Sequence, residues 1–161
     1  MKDKLIQIYV CKGRPNPRSF DPIRNRMDFV KPKGGLWTST YHPKFISAWV
    51  FFCKTEYPEP LQGASLWQMT VKEDAKVYTI DTLEDLLKLD EMGLLKDSAM
   101  PGGKVIDFEK AAEVFDGIRL TDAGVENTGA ADFHIPTLYG WDVESTLWFR
   151  WVFDDVQPLS E

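Results

Sequence analysis

Leu138 to Phe153 reads LYGWDVESTLWFRWVF, the most apolar run of the chain, and holds three of its six tryptophans, Trp141, Trp148 and Trp151. From Ser145 to Phe153 aromatic and β-branched residues dominate, which predicts a strand packed on at least one face. Two acids, Asp142 and Glu144, open the run. Residues two apart on a strand point to one side, so both carboxylates are expected on one face at the entrance of a buried strand. Water is partly excluded there and an unpaired carboxylate is costly. The plainer reading is a pair of acids that cap the strand and face solvent.

Working back towards the N-terminus, Thr121 to Pro136 is rich in Gly, Asp, Asn and Ala and reads as a loop. Ile118-Arg119-Leu120 reads as a short strand. Asp107 to Phe115 is an amphipathic helix with Phe108, Ala111, Ala112 and Phe115 on one face. Met92 to Lys104 reads as loop. Thr82, with Asp85 three residues on, marks a helix start, and the helix runs from about Leu83 to Lys88 or beyond. Val77 to Ile80 and Ser65 to Val71 read as strands, neighbours across the KEDAK turn. A helix is expected from His42-Pro43 to about Lys54, with Pro43 in its first turn and an apolar stripe that includes Phe45, Trp49 and Phe52. Leu36 to Tyr41 is a short strand after Gly34-Gly35. Leu5 to Val10 is the first strand. Between them Cys11 to Lys33 carries four prolines and no helical period, the mark of a long ordered loop. Mixed strands and helices without a βαβ alternation indicate an α+β fold with a mainly antiparallel sheet.

The length of 161 residues suits one domain, 1–161, with Asp154 to Glu161 as a tail. The net charge of −6 hides an asymmetry: residues 1–60 carry +6 and the remainder −12. The excess lies between Lys12 and Lys33, where seven Lys or Arg meet only Asp21 and Asp28. Such a loop on an acidic protein can hold phosphate, or its charges can pair with the acidic half. No stretch has the roughly 18 apolar residues of a membrane span, and the N-terminus has too short an apolar core for a signal peptide. Cys11 and Cys53 lack metal-ligand spacing and read as buried thiols of a reducing compartment, which makes the expected location cytoplasmic. With only His42 and His134, no His-based metal site is expected.

Three features follow one another in a telling order. An N-terminal strand ends in basic residues. A short strand carries Thr38-Ser39-Thr40 before a Trp-containing helix. A late strand opens with Asp142-Val143-Glu144. This order resembles the ADP-ribosyltransferase fold, whose members transfer ADP-ribose from NAD, and the resemblance spans about residues 5 to 153. It departs from the family at the first strand, where no Arg or His stands within IQIYV. The resemblance implies a split antiparallel sheet with a few flanking helices. It implies Glu144 as the carboxylate that stabilises the oxocarbenium-like cation formed when the nicotinamide–ribose bond breaks. Asp142 would orient the acceptor or act as general base. Lys12 or Arg14 would hold the diphosphate. Gly35 and Trp37 would admit and stack the nicotinamide, and Ser39 and Thr40 would complete the NAD site, with Ser39 orienting Glu144. Thr121 to Tyr139 would be the substrate loop, with His134 and Tyr139 against a protein or nucleic-acid acceptor. No metal or membrane is required, and a toxin or viral effector is the kind of protein implied. The competing reading is a non-enzymatic, acidic binding protein of immunity or inhibitor type that docks through exposed tryptophans. A hydrolase using Asp142 and Glu144 is disfavoured, since acids at i and i+2 do not flank a substrate.

Overall fold

The computed structural model describes residues 4–26 and 30–159; Asp28 and the last two residues of the expected tail lie outside them. β1 (Ile6–Cys11) pairs antiparallel with β3 (Ser65–Val71) along its whole length, from Ile6 opposite Thr70 to Cys11 opposite Ser65. β2 (Leu36–Thr40) pairs antiparallel with β8 (Ser145–Trp148). β4 (Val77–Ile80) lies parallel to β7 (Gly117–Leu120), and β7 is antiparallel to β8. β9 (Phe153–Pro158) closes the far edge against β3, so the seven-stranded sheet runs β4-β7-β8-β2-β1-β3-β9. β5 (Leu95–Asp97) and β6 (Lys104–Ile106) form a separate hairpin. Among the described residues there is one parallel strand pair and there are four α-helices, so the chain is a single-domain α+β protein with a mostly antiparallel sheet.

β1 and β2 are registered at only two positions, Gln7 opposite Thr40 and Ile8 opposite Ser39. Beyond Ile8 the two strands part. The sheet is therefore two half-sheets, β3-β9 with β1 and β4-β7-β8 with β2, joined along a short seam.

Paired residues of an antiparallel ladder share a face, and each face has its own core. Ile118, Leu120 and Leu147 face a cluster completed by Leu86 and Leu89 of α2 (Leu83–Glu91), Phe108 and Ala111 of α3 (Phe108–Val114), and Leu138 and Trp141. Leu36, Met69, Val71, Trp148 and Phe153 fill the opposite face with Val152.

Several expectations from the sequence change. The first helix, α1, spans Ala48–Thr55 and starts six residues after His42, because Ser47 is its N-cap and accepts from the Val50 amide. The chain before it closes a tight turn in which His42 and Ile46 exchange backbone hydrogen bonds and Ile46 has φ +71°. The last strand is broken: Phe149 to Val152 leave the ladder, and residues read as tail form β9, tied down by Phe153 in the core. β3 and β4 are not partners. Thr121 caps a further helix, α4 (Asp122–Thr128), inside the expected loop.

Candidate functional site

Glu144 directly precedes β8, opposite Thr40 if the register of Thr38 with Thr146 is extended by two pairs. Its residue surface is 4% exposed. Oε1 accepts from the Ser39 hydroxyl at 3.0 Å and the Thr40 backbone amide at 2.9 Å; Oε2 accepts from the Thr40 hydroxyl at 2.7 Å and Arg119 Nε at 3.2 Å. Four donors, one of them a counter-charge, are what a buried carboxylate needs. The Ser39–Thr40 pair expected from the sequence is thus brought onto Glu144. Ser39 also accepts the Trp49 amide at 3.2 Å, which docks the first turn of α1 on the site.

Behind Thr40 runs a buried chain of hydrogen bonds with one direction. Trp148 Nε1 donates to Thr38 Oγ1 at 2.7 Å, Thr38 Oγ1 to Gln7 Oε1 at 2.5 Å, and Gln7 Nε2 to Thr40 Oγ1 at 3.0 Å. The Thr40 hydroxyl, already accepting, points its proton at Glu144.

Asp142 is elsewhere. Its side chain is 48% exposed and pairs with Lys31 Nζ at 3.8 Å. The two acids therefore do not share a buried face, because neither lies within the strand and the chain bends before β8. Asp142 instead opens on a cavity of about 340 Å³ in the seam where β1 and β2 part. Tyr9 and Val10 line one side and Trp37 and Thr38 the other, with Trp49 of α1, Lys31, Val143 and Ser145 completing the wall. Glu144 does not line this cavity, but its neighbours Val143 and Ser145 both do. Burial pushes the Tyr9 phenol above its ordinary pKa, and a charge on Cys11 would push it the same way, so Tyr9 is a neutral hydrogen-bonding group at the cavity wall. A second, apolar groove of about 470 Å³ between α1 and α4 shares Asp142 and Val143 with the first.

The other residues singled out in the sequence are distributed differently. Arg14 lies over the Trp67 ring at 5.5 Å and donates to the Val156 carbonyl at 2.7 Å, across β3 on β9. Lys12 runs past Gly63. Neither lines the cavity. Gly35, at φ +72°, is required by packing: a Cβ there would come within 2.8 Å of Ile23, Leu147 and the Trp148 carbonyl. The His134 ring meets the Pro101 carbonyl at 3.0 Å, and Tyr139 packs edge-on against Phe133. Both are on the loop after α4 and neither lines the cavity. Gln7, Arg119, Trp49 and Lys31 join the site without having been singled out. Gln7 and Arg119 did leave a signal, a polar residue inside an apolar strand.

Among the described residues no group of three or more His, Cys, Asp or Glu is placed to hold a metal, and no helix is long and apolar enough to cross a membrane. Comparison of the chain with protein-family models, with curated proteins and with solved structures finds no match in any of the three.

Proposed function

We propose that the protein cleaves the nicotinamide–ribose bond of NAD and transfers ADP-ribose to a macromolecular acceptor, in the manner of the ADP-ribosyltransferases its sequence resembles. The observation that carries this reading is the carboxylate of Glu144, pre-organised by Ser39, Thr40 and Arg119 directly behind a cavity in a split sheet. Bond breaking leaves the electron pair on the ring nitrogen and the positive charge on the ribose. A carboxylate already fixed in place stabilises that charge without reorganisation. Glu144 reaches the ribose by exchanging one side-chain hydroxyl, Ser39 or Thr40, for a ribose hydroxyl, so the count of hydrogen bonds is kept. Asp142, open to both cavity and groove, orients the acceptor that approaches from the groove.

The test is nicotinamide release from NAD by the purified protein, with and without cell extract, beside Glu144→Gln and Asp142→Asn. Release by the native protein should fall at least about a hundredfold in Glu144→Gln. Each variant needs a melting curve, because the new amide nitrogen would face donors at Glu144, whereas exposed Asp142 tolerates the change. No release from the folded native protein, in buffer or in extract, overturns the proposal.

The binding-protein reading expects Trp141, Trp148 and Trp151 to be partly exposed, yet Trp141 is 3% exposed and Trp148 wholly buried, and of the three Trp151 alone is half-buried. What favours it is the groove beside α1, where Phe45 and Phe51 are exposed.

A further inference from the structure

Among the described residues Lys31 is the one ammonium that lines the seam cavity. Its Nζ stands 5.4 Å from the centroid of the Trp37 ring and 3.8 Å from Asp142 Oδ2. An aromatic face and a carboxylate converging on one point make a site for a cation: the ring offers its negative quadrupole and the carboxylate its charge. In this structure the chain's own side chain fills that point. We infer that Trp37 and Asp142 form a binding site for a planar aromatic cation, and that Lys31 is a resident cation which such a ligand displaces. The inference rests on the proposed NAD reading for the identity of the natural ligand, whose oxidised nicotinamide ring is such a cation.

The physical case is one of exchange. The Lys31 and Asp142 side chains are 40% and 48% exposed. An exposed ion pair of this length contributes little and is screened by salt, so a displaced ammonium returns to water at small cost. A flat cation gains more from the Trp37 face than a point charge does, since it adds stacking contact to the electrostatic attraction. The exchange also has a direction in the proposed reaction. Cleavage of the C1′–N1 bond leaves its electron pair on the ring nitrogen and makes nicotinamide neutral. A neutral ring has lost its advantage over the ammonium, and Lys31 reclaims the site as the product leaves.

The experiment is a titration by ligand-observed NMR with 1-methylnicotinamide, a cation without ribose or phosphate, and with neutral nicotinamide. It compares the native protein with Lys31→Met, Lys31→Arg and Lys33→Met. Lys33→Met makes the same change of net charge at an exposed position that does not line the cavity. Lys31→Met should bind 1-methylnicotinamide about two- to fivefold more tightly than the native protein. Lys31→Arg, Lys33→Met and every titration with nicotinamide should show no gain. No gain in Lys31→Met overturns the inference, as does failure of all four proteins to bind 1-methylnicotinamide. An equal gain in Lys33→Met would reduce the effect to net charge, and an equal gain for nicotinamide would reduce it to emptied space; either overturns it too. The NAD reading fails separately: the gain for 1-methylnicotinamide would persist while NAD is neither bound nor cleaved.

Discussion

At the scale of single residues, the organising fact is that Glu144 spends all its visible accepting capacity on neighbours. The run Trp148, Thr38, Gln7, Thr40, Glu144 is held by donors that each point the same way. Thr38 is its weakest place to cut, for its single hydroxyl both accepts from Trp148 and donates to Gln7. Thr38→Val would strand a buried indole N–H and a buried amide oxygen at once. Each such group costs about 1–3 kcal/mol, so the variant should lose about 2–4 kcal/mol in urea unfolding, while Thr38→Ser loses much less. Equal stability of the valine variant would mean that the chain of bonds is not formed as described. Glu144, Ser39 and Thr40 were legible in the sequence as residue types in order. Their partners Gln7 and Arg119 were not, because pairing across strands depends on register, which IQIYV and IRL do not encode locally.

At the scale of elements, legibility followed periodicity. β1, β2, β3, β4, α2 and α3 stand close to where alternation or helical spacing put them. Misreadings gather where a cap or a break decides. Pro43 suits a first helical turn, but Ser47 supplies the cap and shortens α1. Thr121 caps α4 through the Gly124 amide within a segment whose Gly and Asn content suggested loop. β9 is charged and outwardly polar, as an edge strand is, and only Phe153 and Val156 betray it. The best-signalled start, that of α2, also gives a pH dependence. Asp85 accepts from the Asp81 and Thr82 amides at 3.0 and 3.1 Å, and Thr82 accepts in return from the Asp85 amide. The Asp81 amide, first, and then the Thr82 groups and Lys88 hold the carboxyl below its ordinary pKa, against a smaller opposing effect of burial. A carboxyl depressed in the fold stabilises above its unfolded pKa and loses that contribution as pH falls through the folded one. Melting temperatures of the native protein and Asp85→Asn should therefore differ near neutrality and converge below about pH 4. A gap that stays constant down to pH 2 would show that Asp85 acts without its charge.

For the whole molecule, charge and topology meet in one place. The basic N-terminal loop returns over the sheet at Lys31, where it faces Asp142 from the acidic half. That juxtaposition was legible only as a global asymmetry of sign, because the sequence does not show which base reaches which acid. The two-position seam between β1 and β2 has a consequence for exchange with solvent. β1 is laced to β3 from end to end, but on its other edge Tyr9 to Cys11 have no partner strand among the described residues. Protons on that edge of β1 have only local opening, or none, between them and deuterium, while those on the β3 edge wait for larger disruptions. Deuterium uptake should thus alternate along one strand, with neighbouring amides from Tyr9 to Cys11 differing at least about tenfold in rate. Uniform protection along β1 would mean that the two half-sheets are laced more fully than two rungs allow. A ligand that settles in the gap would offer those amides a new partner, and their slowed exchange would trace where it lies.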